Sequence, residues 1–237
     1  MHRLGFDRGD IKMLMGRLQG MQDHLYIRSV FSHLAAAEDL SEDEFTRSQI
    51  EKLTTIYNQI QETFHYPILQ HILNSTGISR FPEAQFNMVR LGIGMYGISS
   101  VEADKSALQN VCTLRTTISQ IKIIPKGDSV GYNRRWVAPK DTPMGIIPVG
   151  YADGLNRANG NGVGKVLING RAAPIIGTIC MDMCMIDLTD IDCHVGDKVI
   201  VFGDDYPVEN MSSAINTIPY EVLTGISRRV KRIYFQE

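Results

Sequence analysis

No two of the four cysteines, Cys112, Cys180, Cys184 and Cys193, stand in the C-x-x-C spacing that a zinc site or a redox disulfide uses. A reducing compartment, and with it a cytoplasmic location, is expected. No apolar run approaches the roughly 20 residues of a membrane-spanning helix, and the opening "MHRLGFDRGD" lacks the apolar stretch of a secretion signal. Excess charge of either sign is scarce as well. A formal −2 supplies no basic face, which disfavours nucleic acid and anionic lipid as partners. His2, His24, His33, His65, His71 and His194 show no metal-ligand spacing, so no metal is expected. What is present is 237 residues, 43% hydrophobic and 21% charged, enough to bury the core of one large domain or two modest ones.

Two rhythms divide the chain. Up to about residue 100, helix and strand patterns alternate. "SEDEFTRSQIEKLTTIYNQIQETF" opens with Ser41 and Glu44 in capping-box spacing and puts Phe45, Ile50, Leu53, Tyr57, Ile60 and Phe64 on one helical stripe. "DIKMLMGRLQGM" reads as a shorter helix and "YIRSVFSHLA" as a strand, while "PILQHILNS" and "FNMVRLGIGMYG" read as strands covered on both faces. Such alternation predicts βα units and a parallel sheet. From about residue 108 the chain turns to short β-rich runs separated by Pro-Lys-Gly, Asn-Gly and Gly-Asp turns, with a last helix at "PYEVLTGIS", where Pro219 suits the first turn. The polar stretch "SSVEADKSA" marks the boundary, giving domains 1–104 and 105–237. "GNGVG" at 160–164 reads as a hairpin turn, because no helix pattern follows to make a phosphate loop. "SRRVKR" reads as a solvated edge or a contact to a neighbouring subunit.

Polar residues punctuate the strand ends of the first half. His33, Asn74 with Ser75, and Arg90 each fall at or just inside the C-terminal end of a predicted strand, the rim where ligands bind in parallel βα architectures. An arginine inside "MVRLGIG" needs partners if buried. In the second half, Val-Gly-Tyr occurs twice, at Tyr132 and Tyr151, followed each time by polar residues. Glycine permits a close backbone approach or a positive φ, which suits a phenol delivered to a surface; β-propensity alone also accounts for either tyrosine.

These segments together, with "MHRLGF", "SHLAAAED", "HILNSTGISRFPEAQFNMVRLGIGMYG", "SVGYNRRW", "IPVGYADG", "APIIGTICMDMCMIDLTD" and "NTIPYEVLTGISRRV" in family order, resemble alanine racemase, a pyridoxal 5'-phosphate enzyme of fold-type III. The resemblance implies the fold class α/β plus β: a partial (β/α)8 barrel of the TIM type followed by a mainly-β domain. It implies an amino-acid racemase of alanine for cell-wall synthesis, working as a head-to-tail homodimer with shared active sites. By that resemblance Tyr132 is one of two acid/base groups and reaches into the partner's barrel. Tyr151 and Met181 line the same entrance, and the Met181 amide and Arg3 contact the substrate carboxylate. Arg90 faces the pyridine nitrogen, and His33 lies in a hydrogen-bonded line between the tyrosine and Arg90. Ser75, with groups around Asn74, Gly92 and Ile93 and the phenol of Tyr220, cradles the phosphate. A guanidinium keeps its proton, which leaves the pyridine unprotonated and weakens the electron sink.

One family segment is missing. The lysine that holds the cofactor covalently lies in a Val-Lys-Ala-Asn-Ala-Tyr-Gly-like segment on the first barrel strand. None of Lys12, Lys52, Lys105, Lys122, Lys126, Lys140, Lys165, Lys198 and Lys231 has that context. The resemblance aligns Met1 just after the fifth strand, so about five of the barrel's strands are expected to lie outside this sequence. The chain alone is therefore expected to be inactive. Two other readings stand beside the first: a racemase for serine or another amino acid, and a non-catalytic module derived from a racemase. The sequence is silent on fusion to a cell-wall ligase-like domain.

Overall fold

Two units partition the chain, Met1–Val111 and Cys112–Glu237, and the computed structural model describes residues 1–235. The first unit runs α1 (Ile11–Gln19), β1 (Ser29–Phe31), α2 (Asp43–Thr63), β2 (Leu69–His71), α3 (Ser75–Arg80) and α4 (Glu102–Lys105). β1 and β2 pair in parallel, Val30 opposite Gln70, with the long α2 as their crossover. The predicted capping box of α2 does not form, and Glu42 takes its N-cap position without a side-chain hydrogen bond. Asp39, not Ser41, accepts the hydrogen bond of the Ser41 amide at 2.9 Å and opens a 3₁₀ turn over Leu40–Glu42 that leads into the helix. The buried line of α2 passes through Thr46, Leu53 and Ile60, with Ile50 packed beside it. Phe45, one position off that line, turns away by about 100° and is exposed.

"FNMVRLGIGMYG" is not a strand. The Gln70 amide is taken by the Asn87 side chain at 2.8 Å, and only the Asn87 and Arg90 amides reach the β2 segment, at the carbonyls of Gln70 and Leu73. A ladder needs alternating partners on both backbones, so the run lies beside β2 as an irregular segment and closes in a 3₁₀ turn at Ile93–Tyr96. Its Met88, Val89 and Leu91 are exposed. The core of this unit gathers Leu34, Leu53, Ile72, Leu73 and Phe81. Among the described residues no helix is long and apolar enough to cross a membrane.

The second unit contains β3 (Leu114–Thr117), β4 (Gln120–Ile124), β5 (Ser129–Val130), β6 (Trp136–Val137), β7 (Thr142–Ile147), β8 (Lys165–Ile168), β9 (Arg171–Ile176), β10 (Cys184–Asp187) and β11 (Lys198–Phe202), then α5 (Val208–Ala214) and α6 (Pro219–Gly225). Seven strands form one antiparallel sheet in the order β3-β11-β8-β9-β10-β7-β4, and β5-β6 form a small ribbon. Asn169 and Gly170, at φ +48° and +75°, close the β8–β9 hairpin, since both central positions of such a turn need positive φ. "GNGVG" closes no hairpin, because β7 and β8 are not neighbours; Asn161 and Gly162 instead donate to the carbonyls of Gly177 and Ile175. Pro219 takes the first position of α6. The "SRRVKR" run bends back on itself, with Arg232 donating to the carbonyls of Ile226, Ser227 and Val230.

Candidate active site

In the first unit, the ends of β1 and β2 converge on Arg90. Its Nη2 donates to the Ser32 carbonyl at 2.8 Å, the Ile72 carbonyl at 3.0 Å and His33 Nδ1 at 3.2 Å, and its Nη1 donates to His71 Nδ1. The guanidinium carbon lies 5.4 Å from the Phe31 ring centroid, and that ring stacks on His71 at 4.9 Å. A guanidinium only donates, so both imidazoles accept through Nδ1 and carry their proton on Nε2. Burial first, then the Arg90 charge, lowers the pKa of both rings, and the charge of Arg3 adds to the effect at His33. Burial also lowers that of Arg90, which remains a cation.

The pH dependence follows with a definite sign. Unfolded imidazoles take up protons near 6.5, whereas the folded rings do so only at lower pH. The unfolded state therefore binds more protons just below 6.5, and the stabilisation present above that value is lost as the pH falls. Thermal unfolding is expected to show Tm declining between about pH 7 and about pH 5, and a His33→Asn/His71→Asn double variant is expected to flatten that decline. An unchanged slope in the double variant rules the two rings out as its source.

A second feature lies one helix onward. Asn74 caps α3, its Oδ1 accepting from the Gly77 amide at 2.9 Å. Ser75 Oγ accepts from the amides of Gly92 at 2.9 Å and Gly94 at 3.2 Å, with buried Ile93 between them. Two accepted bonds leave the hydroxyl proton for an outside acceptor. The amides of Gly92, Gly94 and Gly77 are thus spent within the protein, and the Ser75 hydroxyl with the amides of Ser75, Thr76 and Ile93 forms the donor set suited to a phosphate monoester.

The second unit presents the tyrosines. Gly131 has φ +76°, and a Cβ there would come within 2.9 Å of the Thr178 amide nitrogen, so glycine is required. Asn133 and Arg134 also have positive φ, and Thr178 Oγ1 holds the Tyr132 carbonyl at 3.3 Å. This backbone leaves Tyr132 67% exposed. Tyr151 is fixed from the same loop: its amide donates to the Cys180 carbonyl, and that of Ala152 to the Met181 carbonyl, both at 3.0 Å. A Cβ on Gly150 would meet the Met181 carbonyl oxygen at 2.3 Å, so only glycine allows this approach. Tyr151 and Met181 are thus brought together, both exposed, and Tyr220 sits in the first turn of α6.

Of the residues singled out in the sequence, His33 with Arg90, and Ser75 with Asn74, Gly92 and Ile93, share the first unit, while Tyr132, Tyr151, Met181 and Tyr220 belong to the second. Arg3 is exposed, linked to the first group through its charge at His33. Sequence reasoning passed over His71 and Thr178. The first is legible as a polar residue within "PILQHILNS". Thr178 carries no such signal.

The chain matches the family profiles "Alanine racemase, N-terminal domain" over residues 1–100 and "Alanine racemase, C-terminal domain" over residues 111–234. It is 37% identical over 221 residues to alanine racemase 1 of Clostridium acetobutylicum, covering 90% of this chain and 57% of that protein. The structure of alanine racemase from the D-cycloserine producer Streptomyces lavendulae matches with a TM-score of 0.92 at 29% identity, covering 100% of this chain and 64% of that one. That of the Bartonella henselae alanine racemase, described with covalently bound pyridoxal phosphate, matches at TM-score 0.85 and 32% identity, covering 99% and 64%. The chain thus spans about six-tenths of the length of these relatives. Its fold is part of a (β/α)8 barrel and a mainly-β domain. On these matches, the chain belongs to the alanine racemase family.

Proposed function

We propose that this chain supplies the phosphate cradle, the pyridine-facing cation and one of two acid/base groups of a cytoplasmic alanine racemase that interconverts L- and D-alanine for peptidoglycan synthesis. Two copies arranged head to tail share the active sites. Arg90 gripped by two neutral imidazoles, beside a serine hydroxyl with an unspent proton, carries this reading. The description of the Bartonella henselae relative as holding pyridoxal phosphate supports it.

The residues fit that cofactor. When bound, pyridoxal phosphate spreads the negative charge left on Cα by deprotonation. Ser75 Oγ–H and the amide of Ile93, in the loop that Asn74 and Gly92 shape, would hold the phosphate dianion, and the Tyr220 phenol would donate to it. Among the described residues no acceptor is bonded to Arg90 Nε, which leaves a donor for the pyridine nitrogen. Because Arg90 keeps its proton, it would leave the nitrogen of a bound cofactor unprotonated, which would restrain side reactions such as transamination at some loss of rate. Racemisation removes a proton from one face of Cα and returns one on the other, so two groups are needed. Tyr132 Oη serves one face, its phenol helped by the Nε2–H of neutral His33. The Met181 amide and Arg3 hold the substrate carboxylate, and Tyr151 with Met181 lines the entrance. The second group is the lysine of the family segment that this chain does not contain.

Pyridoxine 5'-phosphate lacks the aldehyde, so its binding reports the cradle without the lysine. Calorimetry with residues 1–237 is expected to show Ser75→Ala weakening it about tenfold, the loss of one charge-assisted hydrogen bond. Equal affinity for both proteins sinks the cradle assignment.

A further inference from the structure

We propose that Arg229 is a positioning residue that sets the spacing between the Tyr151 turn and the Met181 loop, and through it the substrate size that the entrance admits. This rests on the function proposed above for Tyr151 and Met181. Arg229 Nε donates to Asp153 Oδ1 at 2.7 Å, and its Nη2 donates to Asp182 Oδ1 at 2.6 Å. Asp153 lies two residues after Tyr151, and Asp182 directly follows Met181. One planar fork thus ties together the two turns that carry the entrance side chains.

Asp153 is built into its turn from every side. Its Oδ2 accepts from the Gly150 amide at 2.9 Å, and its carbonyl accepts from the Ser227 amide at 3.0 Å. Its side chain is only 13% exposed. Burial works against its charge, but hydrogen bonds from Arg229 and Gly150 and the Arg229 cation hold its carboxyl below the usual range. On the far side of the turn, a Cβ on Gly154 would strike the Gly225 carbonyl oxygen at 2.6 Å. Residues 225–229 therefore brace this turn, and Arg229 carries the brace across to the Met181 loop. A single exposed ion pair contributes little to stability. The role of this one is geometric: lysine, with a compact ammonium, would bridge one carboxylate and leave the other turn free.

Two arms test the inference. In the full chain, Arg229→Gln is expected to raise hydrogen exchange at the Tyr151 and Ala152 amides about tenfold while the β8–β9 amides of Val166 and Ile175 stay unchanged, a local opening rather than global unfolding. Arg229→Lys is expected to keep Tm and still lose that local protection. In the holoenzyme, Arg229→Gln is expected to raise KM for alanine about fivefold with kcat within about twofold, and to narrow the kcat/KM preference for alanine over the larger serine. Unchanged exchange, a uniform rise that includes β8–β9, or a fall in kcat at constant KM each overturns the inference. A wild-type holoenzyme that racemises no alanine defeats the proposed function instead, and the exchange arm still decides whether Arg229 is the brace.

Discussion

Tyr132→Phe, in the enzyme that joins this chain to the lysine-bearing segment, is expected to slow alanine racemisation by about 10³-fold, the usual worth of a positioned acid/base group. Residues 1–237 alone are expected to racemise none. The steady-state loss is equal in both directions, because L- and D-alanine are equal in free energy and the ratio of kcat/KM values is fixed. The informative measurement is therefore isotope exchange at Cα in D₂O. With the phenol gone, exchange from one enantiomer should stop while the lysine continues to serve the other. Equal loss from both enantiomers at that step defeats the assignment of Tyr132, and turnover by the isolated chain defeats the expectation that it lacks one of its two groups.

Arg90→Leu is expected to destabilise the first unit by roughly 3 kcal/mol, since it leaves buried and half-buried acceptors without their donor. Those acceptors are the carbonyls of Ser32 and Ile72 and the Nδ1 atoms of His33 and His71. His71 is only 4% exposed, so water cannot readily replace the guanidinium there. A second readout separates this from general damage. With the cation removed, both imidazoles should titrate at higher pH than in the wild type, though still below 6.5 because burial is the larger cause. Thermal unfolding and NMR titration of the histidines measure the two effects, and unmoved imidazole titrations in a destabilised protein count against the electrostatic account.

The helices were legible where periodicity was long. The α2 stripe is evident in sequence, yet the capping hydrogen bond falls at Asp39, on the 3₁₀ turn before the helix, and Glu42 at the N-cap of α2 makes none. The run around Arg90 looked like a strand, since apolar runs read alike whether or not a ladder forms. Local sequence carries no information on whether a neighbour offers alternating backbone partners, and here the Asn87 side chain took one of them. The same gap hid His71: the pairing of two imidazoles with one guanidinium joins residues 19 and 57 positions from Arg90.

By itself, the sequence determined the change from βα rhythm to β-rich hairpins, the Asn-Gly turn between β8 and β9, and the residue types of the site, because these depend on neighbours within a few positions. Only the tertiary structure decided how Arg90 is held, that Gly150 must pass against the Met181 carbonyl, and that Arg229 spans two turns. Hydrogen bonds and steric exclusion act over about 3 Å, so contacts between distant segments exist only once the chain has folded.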